Sequence, residues 1–203
     1  FIRLGYGFTR QRNGSFNMHA VTCIPTVIGA WKELGGGAFY NNGGIYNIDK
    51  TLIEGLNYKN STIRELDQSR IGPILNGDKS ALQNKQLVKA IIIQNTNPLV
   101  VAPETLKVIK GFSRADLFTC VHEQFMTETA KYADILLPAT SFVEHNDIYV
   151  SGGHQHLTLG PKLINELGDC WSNHKLINEL SRRLGSKRKV FSIQFYHKSF
   201  ISR

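Results

Sequence analysis

The chain has 203 residues, 41% hydrophobic and 20% charged, with 24 Lys and Arg against 16 Asp and Glu for a formal charge of +8. That is enough apolar material for a sizeable core, and no apolar run approaches the roughly 20 residues needed to span a bilayer. Cys23, Cys120 and Cys170 are widely separated, which argues against a metal knot or a disulfide framework and fits a reducing compartment.

The opening "FIRLGYGFTRQRNG" is neither a signal nor a transit peptide and lacks an initiator Met. The expectation is therefore a cytoplasmic protein and an internal segment of a longer one. Gly5, Gly7 and Gly14 lie around a polar, basic stretch in which backbone amides can approach a ligand, with Arg10, Gln11 and Arg12 able to meet an anion or a heteroaromatic edge. A plain turn leading into "FNMHAVTCIPTVIGAW" is the other reading, and that apolar stretch predicts a helix disturbed by Pro25. "GGGAFYNNGGIYN" (35–47) is too glycine-rich for any element interior and reads as either a spacer or a ligand loop. A helix near "STIRELDQS" is expected, with Ser61 as cap and Glu65 in its first turn.

From Lys89 the pattern sharpens. Ile91, Ile92 and Ile93 form a β-branched run expected to be buried on both faces of a parallel sheet, stopped by Asn97-Pro98. A helix through Leu106, Val108 and Ile109 should follow and end at Gly111, and "DLFTCV" supplies a second strand. "ETAKYA" predicts a short helix and "DILLP" a third strand closed by Pro138. In a strand–helix–strand layer of this kind, ligands sit beyond the carboxyl ends of the strands. Those ends are "QNTNP" (94–98), "HEQFMTET" (122–129) and "ATSFVE" (139–144), and the first two are richer in hydrogen-bonding side chains than turns require.

Near the end, "SGGHQHLTLG" would place His154 and His156 on one face of a strand, without an evident third metal ligand, so a surface or cofactor-edge role is favoured over a metal site. Glu144 and Asp147 read as solvated loop acids rather than a catalytic pair. "SNHKLINELSRRLG" predicts a packing helix with Ser172 as cap, a Leu176, Leu180 and Leu184 stripe, and Gly185 as terminator. The last 17 residues hold Lys187, Arg188, Lys189, Lys198 and Arg203 and no acid; without those five, 19 basic residues face 16 acids. The charge is concentrated in a tail, so nucleic-acid binding is disfavoured.

"TETAKYADILLPATSFVEHNDIY", preceded by "NTNP" and "LGYGFTRQRNG", resembles the molybdopterin oxidoreductase family that includes formate dehydrogenases and the dimethyl sulfoxide and biotin sulfoxide reductases. The likeness runs from about residue 1 to 186 and covers the family's third domain with the adjoining part of its second. It implies an α/β, Rossmann-like layered domain with a mainly parallel sheet, part of a larger multidomain molybdoenzyme fold, with 187–203 as a basic tail outside it. It also implies a bis-molybdopterin guanine dinucleotide cofactor with one guanine arm against this domain. Asn97 and Pro98 then stand at a nucleotide-contacting strand end, His122 and Glu123 at the next, with Glu123 placed to pair with the N1 and N2 donors of guanine. Gly5, Gly7 and Gln11 stand near the pterin, and Thr127, Thr129 and Asp134 fall in the best-matched motif, Asp134 either touching the cofactor or capping local backbone. The family's iron-sulfur Cys motif, its molybdenum ligand and its second pterin domain have no counterpart in these residues. No catalytic residue or protein metal site is assigned, and the expected partners are the parent's remaining domains and an electron-transfer subunit. The alternatives are a degenerate, non-catalytic remnant and a basic α/β nucleic-acid-binding module.

Overall fold

The computed structural model describes residues 1–41, 46, 60–151 and 154–185. The tail after Ser186 and most of the second half of the glycine-rich loop lie outside the described residues. The chain groups into two compact units. The first holds the described residues of Phe1–Asn60 and Asp147–Gly160, and the second those of Ser61–Asn146 and Pro161–Arg203.

In the first unit, β1 (Ile2–Arg3) pairs in parallel with β2 (Ala38–Phe39), and β6 (Asp147–Tyr149) pairs antiparallel with β7 (Thr158–Gly160). Between β1 and β2 a 3-10 turn (Tyr6–Arg10) leads into α1 (Gly14–Val27). Pro25 does not break α1, because it falls in the last turn, where the helix is about to end.

The second unit is a mixed helix and strand layer. Its sheet is β3 (Ala90–Gln94), β4 (Phe118–Glu123) and β5 (Ile135–Pro138), all parallel and in that order. Between β3 and β4 run α3 (Pro98–Val101) and α4 (Thr105–Phe112); α2 (Ile71–Leu75) precedes the sheet and α5 (Asn173–Arg183) follows it. The core joins Leu75, Ile93, Leu99, Val108, Phe112, Leu117 and Val121, so the helices cover the sheet face that carries Ile93 and Val121. Strand alternation turns Ile92 to the opposite face. It is 58% exposed, so the isoleucine run is buried on one face and not on both.

Two further expectations change in physical detail. Gly111 does not end α4; it lies inside the helix, and a Cβ there would come within 2.5 Å of the Leu75 Cβ, so glycine lets α2 and α4 approach. "STIRELDQS" forms no α-helix. Instead Asp67 accepts the Ser69 N–H at 2.9 Å and starts a 3-10 turn (Gln68–Arg70), because an Asp side chain competes with helix extension. α5 is capped as read, with the Ser172 hydroxyl accepting the Lys175 N–H at 3.2 Å and Gly185 at φ 78° beyond its end. No helix among the described residues is long and apolar enough to cross a membrane.

Candidate functional site

The carboxyl edge of the parallel sheet gathers the polar residues. The register sets Gln94 beside His122, His122 beside Leu137, and Glu123 beside Pro138, so the three strands end level. Beyond β3, Asn95 takes a left-handed φ of 57°, which Asn tolerates better than most residues, and the chain then turns into Asn97 and Pro98 at the start of α3.

Asn97 and Thr129 are brought together. The fully buried Thr129 hydroxyl donates to Asn97 Oδ1 at 2.7 Å and accepts the Leu99 N–H at 3.1 Å, while the Thr129 N–H also donates to Asn97 Oδ1 at 3.2 Å. Thr129 is therefore fully engaged in the fold. The Asn97 NH2 group has no partner among the described residues and is left at the edge of the sheet.

His122 is 1% exposed; its Nε2 donates to the Trp171 carbonyl at 3.0 Å, and its Nδ1 has no partner among the described residues. That bond ties β4 to the segment before α5, where Ala139 and Trp171 also form a parallel bridge. Glu123 is half-buried. Its Oε1 accepts the Gln124 N–H at 2.7 Å, which fixes the carboxylate, and its other oxygen has no partner among the described residues.

Other residues of the same motif serve the backbone. Thr127 Oγ1 accepts the Ala130 N–H at 3.2 Å and starts the 3-10 turn Ala130–Tyr132. Asp134 Oδ2 accepts the Thr119 N–H at 2.7 Å and its own N–H donates to the Thr119 carbonyl at 2.8 Å, so Asp134 pins the start of β5 to β4. Glu144 is buried, with Oε2 accepting the Ser141 N–H at 2.6 Å and Oε1 the Leu167 N–H at 2.7 Å. Those two amides hold its carboxyl below the ordinary value.

Several polar residues of this edge were not singled out in the sequence. Gln94 Nε2 donates to Asn173 Oδ1 at 2.7 Å, Asn173 Nδ2 reaches Asn95 Oδ1 at 3.4 Å, and Gln124 Nε2 donates to the Thr140 carbonyl at 2.8 Å. Gln94, Asn95 and Gln124 fall within the polar strand ends already noted, where the density of hydrogen-bonding side chains was the only signal. Gln94 and Asn173 meet across 79 positions, a separation that no local pattern reports.

Gly5, Gly7 and Gln11 belong to the first unit and are all exposed. A Cβ at Gly5 or Gly7 would meet nothing within 4 Å, so neither glycine is needed by the chain's own packing. His154 and His156 are neighbours, with ring centroids 5.7 Å apart, but they precede β7 rather than lying on it. No group of three or more His, Cys, Asp or Glu among the described residues is placed to hold a metal ion. Cys120 is buried in β4, and burial pushes its thiol above the ordinary value, which makes it inert. The edge thus offers fixed acceptors and amide donors, a surface suited to holding a flat heterocycle rather than attacking it.

A model of the family described as molybdopterin oxidoreductase matches residues 1–183. The chain belongs to the molybdopterin oxidoreductase family. It is 37% identical over 186 residues to the probable oxidoreductase YoaE of Bacillus subtilis (strain 168), covering 91% of this chain and 26% of that protein. It is 26% identical over 205 residues to the trimethylamine-N-oxide reductase of Haemophilus influenzae (strain ATCC 51907 / DSM 11121 / KW20 / Rd), covering 89% and 25%. With the formate dehydrogenase H of Escherichia coli (strain K12) it shares 32% identity over 100 residues, covering 48% and 13%. Among solved structures, the acetylene hydratase of Pelobacter acetylenicus matches with a TM-score of 0.50 and 21% identity over 59% of this chain and 16% of that one, a likeness of fold. Members of the molybdopterin oxidoreductase family are molybdopterin-dependent oxidoreductases. This member spans about a quarter of the length of the first two of these curated relatives.

Proposed function

We propose that this segment holds one guanine nucleotide arm of a bis-molybdopterin guanine dinucleotide at the carboxyl edge of a Rossmann-like layer, within a larger oxidoreductase. The observation that carries the reading is Glu123. A carboxylate fixed by the Gln124 N–H, half-buried at the sheet edge and with an oxygen to spare, suits the adjacent N1–H and N2–H donors of guanine. The donor set fits the group: the unpaired Asn97 NH2 can meet a carbonyl or ribose oxygen, and the partnerless Nδ1 of buried His122 can accept a further hydrogen. Pro98 and Thr127 shape the turns around that edge. Thr129 and Asp134 act beneath it, by holding Asn97 and the β4–β5 pair.

Gly5, Gly7 and Gln11 are proposed separately as a backbone and amide surface for a pterin, supported by the open space at both glycines. The bound group supplies two-electron oxidoreduction at molybdenum. The residues of this chain bind and orient it, and none of them is proposed to exchange electrons or protons with substrate. An iron-sulfur cluster and an electron-transfer subunit, which the family resemblance leads one to expect, are assigned to other parts of the parent and not to these residues.

The test is Glu123→Gln in the protein at its native length, with the bound nucleotide released and quantified. Replacing the carboxylate removes a charge-assisted pair of about 1.5–3 kcal/mol, so guanine retention falls about tenfold or more. The melting temperature should change little, because the amide oxygen of the glutamine can still accept the Gln124 N–H. Unchanged guanine retention contradicts the assignment.

A further inference from the structure

The loop after β4 presents an aromatic ring on a backbone that is tied at both sides. Phe125 is 73% exposed. The residue before it is anchored twice, since the Gln124 N–H donates to Glu123 Oε1 at 2.7 Å and Gln124 Nε2 donates to the Thr140 carbonyl at 2.8 Å. On the other side the Thr127 N–H donates to the Phe125 carbonyl at 2.8 Å, and the Thr127 hydroxyl accepts the Ala130 N–H at 3.2 Å. Tight polar turns are served by Gly, Asn, Asp or Ser. The turn therefore does not account for a phenylalanine, and Phe125 is a member of neither buried apolar cluster among the described residues.

Its place in the chain supplies a reason. Glu123 and Phe125 are two residues apart at the carboxyl edge of the sheet. Two residues of chain span at most about 7 Å, so the ring is carried within a purine's width of the Glu123 carboxylate. That carboxylate can meet only the edge of a base. Its hydrogen bonds gain strength when the base is shielded from water, and the base faces must be covered by something else. A phenyl ring covers one face and adds the preferred offset geometry of stacked rings. Phe142, 68% exposed in the loop after β5, has no such neighbour, because both oxygens of the nearby Glu144 are taken by amides.

We propose that Phe125 stacks on one face of the guanine whose edge Glu123 holds. The inference rests on the nucleotide assignment above and adds a division of labour to it. Glu123 selects guanine through its donor edge, whereas Phe125 holds a base by its face, a contact that tolerates any base.

The test compares Phe125→Ala, Phe125→Leu, Phe125→Tyr and Glu123→Gln in the protein at its native length, with the bound nucleotide released and quantified. Stacking predicts that guanine retention falls at least about fivefold in Phe125→Ala, falls also in Phe125→Leu, and stays within about twofold of the parent in Phe125→Tyr. Retention that falls in Glu123→Gln but not in Phe125→Ala overturns the stacking and leaves the nucleotide assignment standing. Retention unchanged in both variants overturns the two together. Retention in Phe125→Leu equal to that of the parent shows apolar cover without stacking, and overturns the proposal as well.

Discussion

Glu144 is buried in the loop after β5 and joins two segments by accepting the N–H groups of Ser141 and Leu167. Both bonds favour the carboxylate, so the folded protein holds it below its ordinary value of 4.5. Its contribution to stability is complete above that ordinary value and is lost as pH falls through the lower folded value. Glu144→Gln should therefore lower the melting temperature at pH 7, and the gap from the parent should narrow on acidification below pH 4.5, as followed by circular dichroism. A gap that is constant with pH contradicts the role given to the charge. Thr129 gives a second case. Thr129→Val leaves the Leu99 N–H without its buried acceptor and Asn97 Oδ1 with only the Thr129 N–H, a cost of about 1–3 kcal/mol in urea unfolding, whereas Thr129→Ser keeps the hydroxyl and loses less. At this scale the sequence disclosed which residues gather at the strand ends, because polar residues crowded after β-branched runs are visible locally. It did not disclose which of them face outward. Thr129 and Asn97 stand 32 positions apart, and only the folded chain shows that the threonine holds the asparagine.

The elements follow from the same local rules with a few overrides. Ile91 to Ile93 gave a strand, and Ser172 with Gly185 bounded a helix, because period, cap and terminator agree there. Gly111 was misread because a glycine near a helix end looks like a stop, while its actual role depends on Leu75 in another helix. The distinction is measurable. Gly111→Ala in an open helix would stabilise by about 1 kcal/mol, but a Cβ placed 2.5 Å from the Leu75 Cβ forces α2 from α4 and should destabilise by about 1–3 kcal/mol in urea unfolding. A stabilised variant would show that the two helices have room to spare. The same close approach positions Val108 and Phe112 under Ile93, and so supports the strand whose end carries Asn97.

For the molecule as a whole, exposed apolar side chains occur in both units. Parallel sheets are ordinarily covered on both faces; here Ile92 of β3 is exposed while Cys120 and His122 on the same face of β4 are buried, and Phe16 and Val27 of α1 are exposed as well. The chain spans about a quarter of the length of its first three curated relatives. The family was legible in the sequence because its motif is dense and ordered between Thr127 and Tyr149. The division into two units was not, because Asp147–Gly160 rejoins the first unit after a long excursion through the second. Net charge carries little functional weight, since much of the excess lies beyond Ser186. The central claim is that this chain holds part of a molybdenum cofactor, and the most direct measurement is the content of pterin guanine dinucleotide and molybdenum per polypeptide in the protein purified at native length. The account predicts both, in a fixed ratio and diminished together by Glu123→Gln. A protein that carries neither pterin nor molybdenum when isolated from cells replete in the metal would contradict it.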